Sequence, residues 1–301
     1  MSKCLVIGST VCDVMIYVDE LPNRQGDAHI KKQFFSLGGC AFNVVNILHH
    51  LGVPYDFISP VGTGLYGQFV SKRLLELGID SPIQLPGENG CCYCFIESDG
   101  ERTFLSEHGV EYQFDSGWLS GLDLSGYDYV YICGLEVEEE TGPELLESLK
   151  TIPSQLIFAP GPRGHLIPKQ RLDDLLKMKP ILHLNEEESL RLSGEDKVDN
   201  AVMRLYQITH QTVIVTRGIA GVVAFDGKWH ILPTYPNKIV DTIGAGDSHV
   251  GAMMAALSQK KSLDASLDFA NQVSSRIIGT SGVHLSEEEF KKLQAELDTK
   301  L

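Results

Sequence analysis

The sequence contains no apolar run of membrane-spanning length, and the run that follows Met1 is too short for the core of a signal peptide. We therefore expect a cytoplasmic protein without a membrane partner. Basic residues are scarce as well, since 25 Lys and Arg stand against 40 Asp and Glu and the formal net charge is −15. Broad contact with nucleic acid is unfavourable at this charge, so the sequence predicts small-molecule partners and no nucleic acid.

Two further absences concern phosphate binding. No Gly-x-x-x-x-Gly-Lys-Ser/Thr occurs, which excludes a P-loop kinase at the level of motif. In a chain with this charge, an anionic ligand must be held by backbone amides, a helix terminus, a metal ion or a few placed cations. We expect a metal ion beside any bound phosphate.

The seven cysteines are odd in number, scattered, and occur without an export signal, so we expect reduced thiols. Cys91 and Cys94 form a Cys-x-x-Cys, but a zinc site needs further ligands and none is close in sequence. Packing of this pair in a strand is the favoured interpretation.

Short β-branched runs alternate with helical patterns at the spacing of βαβ units, which predicts an α/β fold with a parallel sheet covered by helices. The predicted strands are 4–7, 130–133, 156–159, 181–184 and 213–216. The predicted helices are 41–51, 66–77, 143–150, 186–192, 200–208, 245–259, 263–278 and 286–297. We predict a single domain over residues 1–301.

Two segments, about 12–37 and 90–107, break this alternation. Both are strand-rich, with turns at Pro22-Asn23 and Asp99-Gly100, and they could pair as a small sheet off the core. Such a sheet could serve as a lid over a pocket and exclude water when closed.

The most informative stretch is Asp241-Thr-Ile-Gly-Ala-Gly-Asp247, which opens an apolar helix. Amides of Gly244, Ala245 and Gly246 at a helix N-terminus would form a hole for the charge that develops on a transferring phosphoryl group. Asp247 at the same end could accept a proton from an attacking hydroxyl. The simpler alternative is a glycine-rich helix cap with an acidic first turn.

This stretch resembles the signature of the ribokinase-like (PfkB) family of carbohydrate and nucleoside kinases. The resemblance implies ATP-dependent phosphorylation of a primary hydroxyl of a sugar or nucleoside. Asp247 would be the base, and the amides of Gly244, Ala245 and Gly246 would hold the phosphoryl group. The implied fold is a three-layer α/β/α core with a mainly parallel central sheet and a small β lid.

A second motif, Gly38-Gly39-Cys-Ala-Phe-Asn43, resembles the N-terminal motif of that family. The resemblance implies that the Gly39 amide and Asn43 side chain bind substrate hydroxyls and that Asp13 accepts from two of them. Without the resemblance, Asn43 is interpreted as an ordinary helix residue and Asp13 as an ordinary turn residue. Arg163 is a candidate cation for substrate or phosphate, or an exposed structural arginine.

Nucleotide binding is implied by three further matches. In Asn185-Glu-Glu-Glu188, Asn185 would reach the nucleotide phosphates and Glu188 the water shell of Mg²⁺. Thr216, Gly218 and Gly221 match the nucleotide loop.

The third match, Asn271, falls where the adenine pocket would be. In the same comparison Asp241, the Ile243 carbonyl and the backbone near Gly282 fall where many members of the family bind a monovalent cation such as K⁺.

Two other classes of protein stay open. Gly62-Thr-Gly64-Leu-Tyr-Gly67 matches the GxGxxG of nucleotide-dependent oxidoreductases, with Asp80 downstream, although that motif normally follows the first strand. The family usually has Gly-x-Asp-x-x-Gly here, so Gly64 replaces an acid. A non-catalytic sugar or nucleoside sensor would lose the base or the anion hole, and both are intact.

The acceptor is the least determined feature. The lid cations show no evident clustering, which favours an uncharged sugar or nucleoside over a phosphorylated one. Several aromatic residues could stack on a base or pack the underside of the lid. These cations are Arg24, Lys31, Lys32 and Arg102, and the aromatic residues are Phe34, Phe35, Phe42, Tyr93 and Phe104. A homodimer through the lid is a further expectation.

Overall fold

The computed structural model describes residues 3–81, 83–280 and 285–299. The strands are Lys3–Ile7 (β1), Val11–Tyr17 (β2), Lys32–Gly38 (β3), Tyr55–Ile58 (β4), Val61–Thr63 (β5), Gln84–Glu88 (β6), Cys91–Ile96 (β7), Arg102–Glu107 (β8), Tyr127–Cys133 (β9), Gln155–Ala159 (β10), Ile181–Asn185 (β11), Val213–Thr216 (β12), Val222–Phe225 (β13) and Trp229–Leu232 (β14). The α-helices are Cys40–His50 (α1), Gly64–Leu77 (α2), Gly134–Glu138 (α3), Gly142–Leu149 (α4), Lys169–Lys177 (α5), Glu186–Ser193 (α6), Val198–Thr209 (α7), Ala245–Ser258 (α8), Leu263–Ile277 (α9) and Glu287–Thr299 (α10). None of these helices combines the length and apolar character needed to cross a membrane.

The main sheet has eight strands in the order β14-β13-β12-β11-β10-β9-β1-β4. The six strands β4, β1, β9, β10, β11 and β12 are each parallel to their neighbours. Strand β13 pairs antiparallel with β12, and β14 pairs antiparallel with β13. Side chains of β1 alternate between two cores, with Val6 packing on the α1 and α8 side and Leu5 on the α4 and α7 side. The predicted three-layer, mainly parallel fold is confirmed.

Helix α8 lies inside one of these layers and is buried along most of its length. It packs between α1 and α9. Gly251 permits the close approach to α1, because a Cβ there would lie 2.9 Å from the Val44 carbonyl oxygen. This packing brings the first turns of α1 and α8 together.

A separate four-stranded sheet has the order β3-β2-β7-β8 and is called the lid sheet below. Its outer face packs on α2, where Phe35 meets the rings of Tyr66 and Phe69. On its opposite face, called the inner face below, Met15 and Cys94 belong to a small apolar cluster against which Ile243 packs. The lid sheet therefore contacts the start of the stretch that leads into α8.

Two sequence expectations need correction. Helix α5 was not predicted, because its few apolar side chains, Leu172, Leu175 and Leu176, are outnumbered by charged and polar ones. The GxGxxG at residues 62–67 begins on β5, which pairs with β6 outside the main sheet. A Cβ at Gly67 would lie 2.2 Å from the Gly62 carbonyl oxygen, so close packing accounts for this glycine.

Candidate active site

The turn into α8 is built around Gly244, which caps the helix with a φ of 69°. This left-handed conformation favours glycine. Amides in the first turn have no acceptor within the helix, although that of Ala245 donates to the Thr242 carbonyl at 3.3 Å. A Cβ on Gly246 would meet nothing within 4 Å, so the turn faces open space. An anion could approach these amides.

Asp247 is the third residue of α8 and contacts the first turn of α1. Asn43 donates from Nδ2 to Asp247 Oδ2 at 2.8 Å, and the Cys40 thiol also hydrogen-bonds to this carboxylate. Burial raises the pKa of Asp247 from 3.8 to about 6, while the hydrogen bonds from Asn43 and Cys40 oppose the rise and the charge of Glu136 adds to it. This value suits a general base near neutral pH.

A pH profile tests this environment. If ionised Asp247 is required, kcat/KM falls as the pH drops below about 6. The Asn43 hydrogen bond lowers the pKa of Asp247, so N43A is expected to move this acid limb to higher pH. The exposed substitution N200A on α7 is the matched control. An acid limb at the same pH in N43A and native protein would contradict the assignment.

The first turn of α1 also adjoins Asp13 on β2. A Cβ on Gly38 would lie 2.0 Å from Asp13 Oδ2, and one on Gly39 would lie 2.5 Å from the Ser9 carbonyl oxygen. Gly38 is therefore needed for close packing against the carboxylate, and Gly39 for close packing against the backbone that follows β1. Asn43 Oδ1 is buried without a hydrogen-bond partner among the described residues. A ligand hydroxyl would supply the missing donor.

The two motifs converge although more than 200 residues separate them. Burial raises the pKa of Asp13 well above its ordinary value, and the charges of Cys92, Asp241 and Asp247 raise it further. These acids lie on β2, on the turn before α8, and in α8. The start of α1 links the two motifs, because Gly38 lies against the Asp13 carboxylate and Asn43 donates to Asp247.

Two side chains in this site were missed from the sequence. Glu136 is buried, and its carboxylate accepts from the Ser9 amide at 2.9 Å and from the Cys133 thiol at 2.8 Å. Cys40 contacts Asp247, as described above. The signal for Glu136 was its position directly after a buried strand, β9, at the carboxyl edge of a parallel sheet.

A cavity of about 580 Å³ adjoins the turn into α8, and Asp13, Asn43 and Asp247 are not part of its lining. Its lining includes Thr216, Gly218, Gly221, Ala245, Gly246 and Asn271. The three residues predicted in the nucleotide loop and the one predicted in the adenine pocket thus share a cavity with part of the predicted anion hole. Apolar side chains, among them Ile219, Ile239 and Ile278, make up much of its wall.

Asn271 is held by a buried chain of hydrogen bonds. Its Nδ2 donates to the Pro233 carbonyl at 2.9 Å, so its Oδ1 accepts from His249 Nε2 at 3.2 Å. His249 Nδ1 then accepts from His183 Nε2 at 2.8 Å. Burial lowers the pKa of His249 to about 4 and that of His183 well below 6.5, so both rings are neutral. This chain ties the cavity wall to β11 and α8.

Asn185 and Glu188 form a capping box at the start of α6, with each side chain accepting from the backbone amide of the other. Burial raises the pKa of Glu188, and the charge of Asp247 raises it further. Both residues line a second cavity, of about 290 Å³, with the loop after β10. Their oxygen donors are of the type that Mg²⁺ prefers. Arg163, in that loop, forms an ion pair with Glu138.

Asp241 is buried beneath the lid sheet and carries an ion pair with it. Its Oδ1 accepts from the Ile243 amide at 2.8 Å and lies 3.1 Å from Arg102 Nη1 on β8. Arg102 also donates to Thr242 Oγ1 at 2.9 Å. Of the residues predicted near a monovalent cation, Gly282 lies outside the described residues.

The fold is that of the ribokinase-like class of small-molecule kinases. A family model described as pfkB family carbohydrate kinase matches residues 1–289. The chain therefore belongs to the pfkB family of carbohydrate kinases, whose members are ATP-dependent.

Similar proteins agree with this family. The chain is 30% identical over 290 residues to the uncharacterized sugar kinase YegV of Escherichia coli (strain K12), covering 92% of this chain and 89% of the relative. It is 27% identical over 286 residues to a nucleoside kinase of Thermoplasma acidophilum, covering 93% and 91%. The fold matches the crystal structure of a ribokinase from Thermotoga maritima with a TM-score of 0.85 at 22% identity, covering 98% of this chain and 99% of that one.

Proposed function

We propose that the protein transfers the γ-phosphoryl group of ATP to a primary hydroxyl of an uncharged sugar or nucleoside, with Asp247 as the general base. One observation carries this proposal. Asp247 shares a site with Asp13 and Asn43, while Ala245 and Gly246 of the same turn line the large cavity. An acceptor on one side of the turn and a nucleotide on the other would meet at Asp247.

In the proposed reaction Asp13, the Gly39 amide and Asn43 hold the acceptor hydroxyls beside Gly38. Asp247 removes the proton of the attacking hydroxyl, whose oxygen forms a bond to the γ-phosphorus as the bond to the bridging oxygen of ADP breaks. Amides of Gly244, Ala245 and Gly246 stabilise the charge on the transferring group, after the Ala245 amide exchanges its weak internal hydrogen bond for the phosphoryl oxygen.

We assign the nucleotide to the cavity bounded by Thr216, Gly218, Gly221 and Asn271. Asn185 and Glu188 would hold the magnesium side of the nucleotide, because they supply oxygen donors and Glu188 lies within electrostatic reach of Asp247. Mg²⁺, when bound, offsets the negative charge of the phosphates, which matters in a chain of net charge −15.

The placement of the cations supports an uncharged acceptor. Lys31 pairs with Asp19, and Arg163 pairs with Glu138. Arg102 is committed to Asp241, and Lys32 lies over the rings of Tyr17 and Phe34. We therefore propose a structural role for Arg163 and no phosphate on the acceptor.

The aromatic residues divide between the two faces of the lid sheet. Phe35 and Tyr93 lie on the outer face, against α2, whereas Phe42 is not part of this sheet and is fully buried in α1. Phe34 packs with the cluster on the inner face, and Phe104 pairs with Cys94 of that face. Of the five aromatic residues considered, we therefore propose Phe34 and Phe104 as the ones that would stack on a base beneath the lid sheet.

The test of the proposed function is magnesium-dependent ADP release from ATP across sugars, sugar acids, sugar phosphates and nucleosides. We expect an uncharged sugar or nucleoside to stimulate release. Stimulation by a sugar phosphate alone would contradict the acceptor class. Binding of nucleotide and sugar without ADP release would favour the sensor alternative.

The Arg102 contacts predict how the lid sheet acts. R102A removes the ion pair to Asp241 and the hydrogen bond to Thr242, so we expect closure over the acceptor to weaken. ATP hydrolysis to water should then rise relative to transfer to the acceptor. The conservative variant R102K keeps the charge and is expected to recover part of the ratio. An unchanged ratio in R102A would contradict the role of the lid sheet in excluding water.

Arg102 also bears on the monovalent cation. Asp241 Oδ1 accepts from the Ile243 amide and forms an ion pair with Arg102, so we propose that Arg102 occupies this carboxylate in place of K⁺ while the lid sheet is closed. Replacing KCl with choline chloride should then change the phosphorylation rate of native protein little, whereas the rate of R102A should be higher in KCl than in choline chloride. A native enzyme that needs K⁺ would contradict this proposal.

We propose that residues 1–301 act as one kinase unit whose lid, about 12–37 and 90–107, corresponds to the lid sheet. Strand β8 is an edge strand of this sheet, and Leu105 on it is exposed. A homodimer through the lid is proposed on that basis. Light scattering of the native protein and of L105K compares their masses, and equal masses would contradict it.

A further inference from the structure

The inner face of the lid sheet carries a pair of thiols that phosphoryl transfer does not use. Cys92 and Cys94 are alternate residues of β7, and Asp13 lies opposite Cys92 on β2, so all three share one face. The two Sγ atoms lie 3.7 Å apart. A carboxylate oxygen of Asp13 lies within 4.8 Å of both. Asp13 and Cys94 are buried, and Cys92 is half-buried.

This spacing matches a known coordination geometry. Two sulfurs that each lie 2.3 Å from one tetrahedral Zn²⁺ are about 3.8 Å apart. The thiols of Cys92 and Cys94 are therefore already separated as they would be around one ion, and rotation of the Asp13 carboxylate completes a set of three ligands. Three protein ligands leave a fourth position for water.

The donor set also selects the kind of ion. Thiolates favour soft divalent cations, whereas Mg²⁺ prefers oxygen ligands alone. Ser106 Oγ donates to Cys92 Sγ at 3.5 Å, which is the kind of outer hydrogen bond that orients a metal ligand. Cys91, the other half of the Cys-x-x-Cys, is the neighbour of Cys92 on the strand and packs in the core on the opposite face.

We propose that Asp13, Cys92 and Cys94 form a binding site for a thiophilic divalent cation of the Zn²⁺ class on the inner face of the lid sheet. Binding releases the two thiol protons to solvent and leaves both sulfurs as thiolates. The second half of the inference rests on the proposed function: the cation withdraws Asp13 from the acceptor hydroxyls and so inhibits phosphorylation.

Absorbance titration of the full chain with Co²⁺ tests the site without any activity measurement. We expect one Co²⁺ per chain, a thiolate-to-metal charge-transfer band, and displacement of that band by Zn²⁺. C92S and C94S should each abolish or greatly weaken the band, and D13N should weaken binding. C91A is the matched control and should keep it. No band in native protein, or a band that survives C92S and C94S, would overturn the proposal.

A second measurement needs no variant. Zn²⁺ is expected to protect Cys92 of native protein from maleimide labelling, mapped by mass spectrometry, and an unchanged labelling rate would count against the site. In steady-state kinetics, Zn²⁺ should compete with the acceptor and not with ATP.

Two outcomes separate the cation site from the proposed function. Co²⁺ binding without phosphorylation of any acceptor would support the cation site and contradict the proposed function. Phosphorylation without Co²⁺ or Zn²⁺ binding would remove the cation site alone.

Discussion

D247N is expected to lower kcat for phosphorylation by about a hundred- to ten-thousand-fold. An amide of the same shape preserves the acceptor for the Asn43 hydrogen bond but cannot take a proton from the attacking hydroxyl. Initial rates of acceptor-dependent ADP release, at saturating ATP and acceptor, measure the loss.

The melting temperature of D247N distinguishes loss of the catalytic base from misfolding. The pKa of Asp247 is raised by burial from 3.8 to about 6, so the folded state holds its proton at a pH where the unfolded state has lost it. Above pH 6 the buried charge therefore destabilises the native protein, by about 3 kcal/mol. D247N should melt at a higher temperature than native protein at pH 8, and the difference should disappear as the pH falls to about 4.

The exposed residue Asp199, in the first turn of α7, provides the matched control. D199N should leave both the rate and the melting temperature close to the native values. A D247N protein that melts like native protein at pH 8 would contradict the buried ionised base. One that phosphorylates at the native rate would contradict the role of Asp247 as base.

D13N is expected to lower kcat/KM for the acceptor by about a hundredfold or more. In the proposed complex two acceptor hydroxyls donate to Asp13 and favour its ionised form against the effect of burial, and hydrogen bonds to a charged group contribute about 1.5–3 kcal/mol each. The amide offers one accepting oxygen where the carboxylate offers two. The change should appear mainly as a higher acceptor KM. The dissociation constant of ATP, measured by calorimetry, should stay at its native value because Asp13 does not line the cavity proposed to bind the nucleotide.

The position of Asp13 makes this prediction specific. Gly38 packs directly against its carboxylate, and an isosteric amide fits the same space. An unchanged acceptor KM in a folded D13N protein would show that the acceptor binds elsewhere. Weakened ATP binding would show instead that Asp13 acts through the fold of the whole site.

Much of this architecture could be predicted from periodicity and turn chemistry. Buried strands such as Val213–Thr216 are continuous β-branched runs, and their alternation with helical patterns predicts a parallel sheet. The glycine at position 244 and the apolar helix behind it mark the turn that faces open space. Helix α5 was not predicted because its apolar face is narrow and most of its residues are polar or charged.

The missing parts of the site depend on contacts between distant segments. Cys40 gives no sign in sequence that it contacts Asp247, because that contact needs α1 and α8 to be packed together. Arg102 shows no clustering in sequence, yet the lid sheet carries it to Asp241, 139 positions later in the chain. Cys92 and Cys94 gain Asp13 as a neighbour only through the parallel pairing of β2 and β7. Pairing partners and register follow from tertiary packing more than from local pattern.

We propose that Asp247 activates a primary hydroxyl for attack on the γ-phosphorus of ATP. The most direct test of this role is to identify the phosphorylated acceptor by mass spectrometry and phosphorus NMR after incubation with Mg²⁺-ATP and native, D247N or D199N protein. We predict one phosphoryl group on a primary hydroxyl of an uncharged sugar or nucleoside, formed by native and D199N proteins and nearly absent with D247N. Equal product from D247N, or ADP formed with no phosphorylated acceptor, would contradict the account.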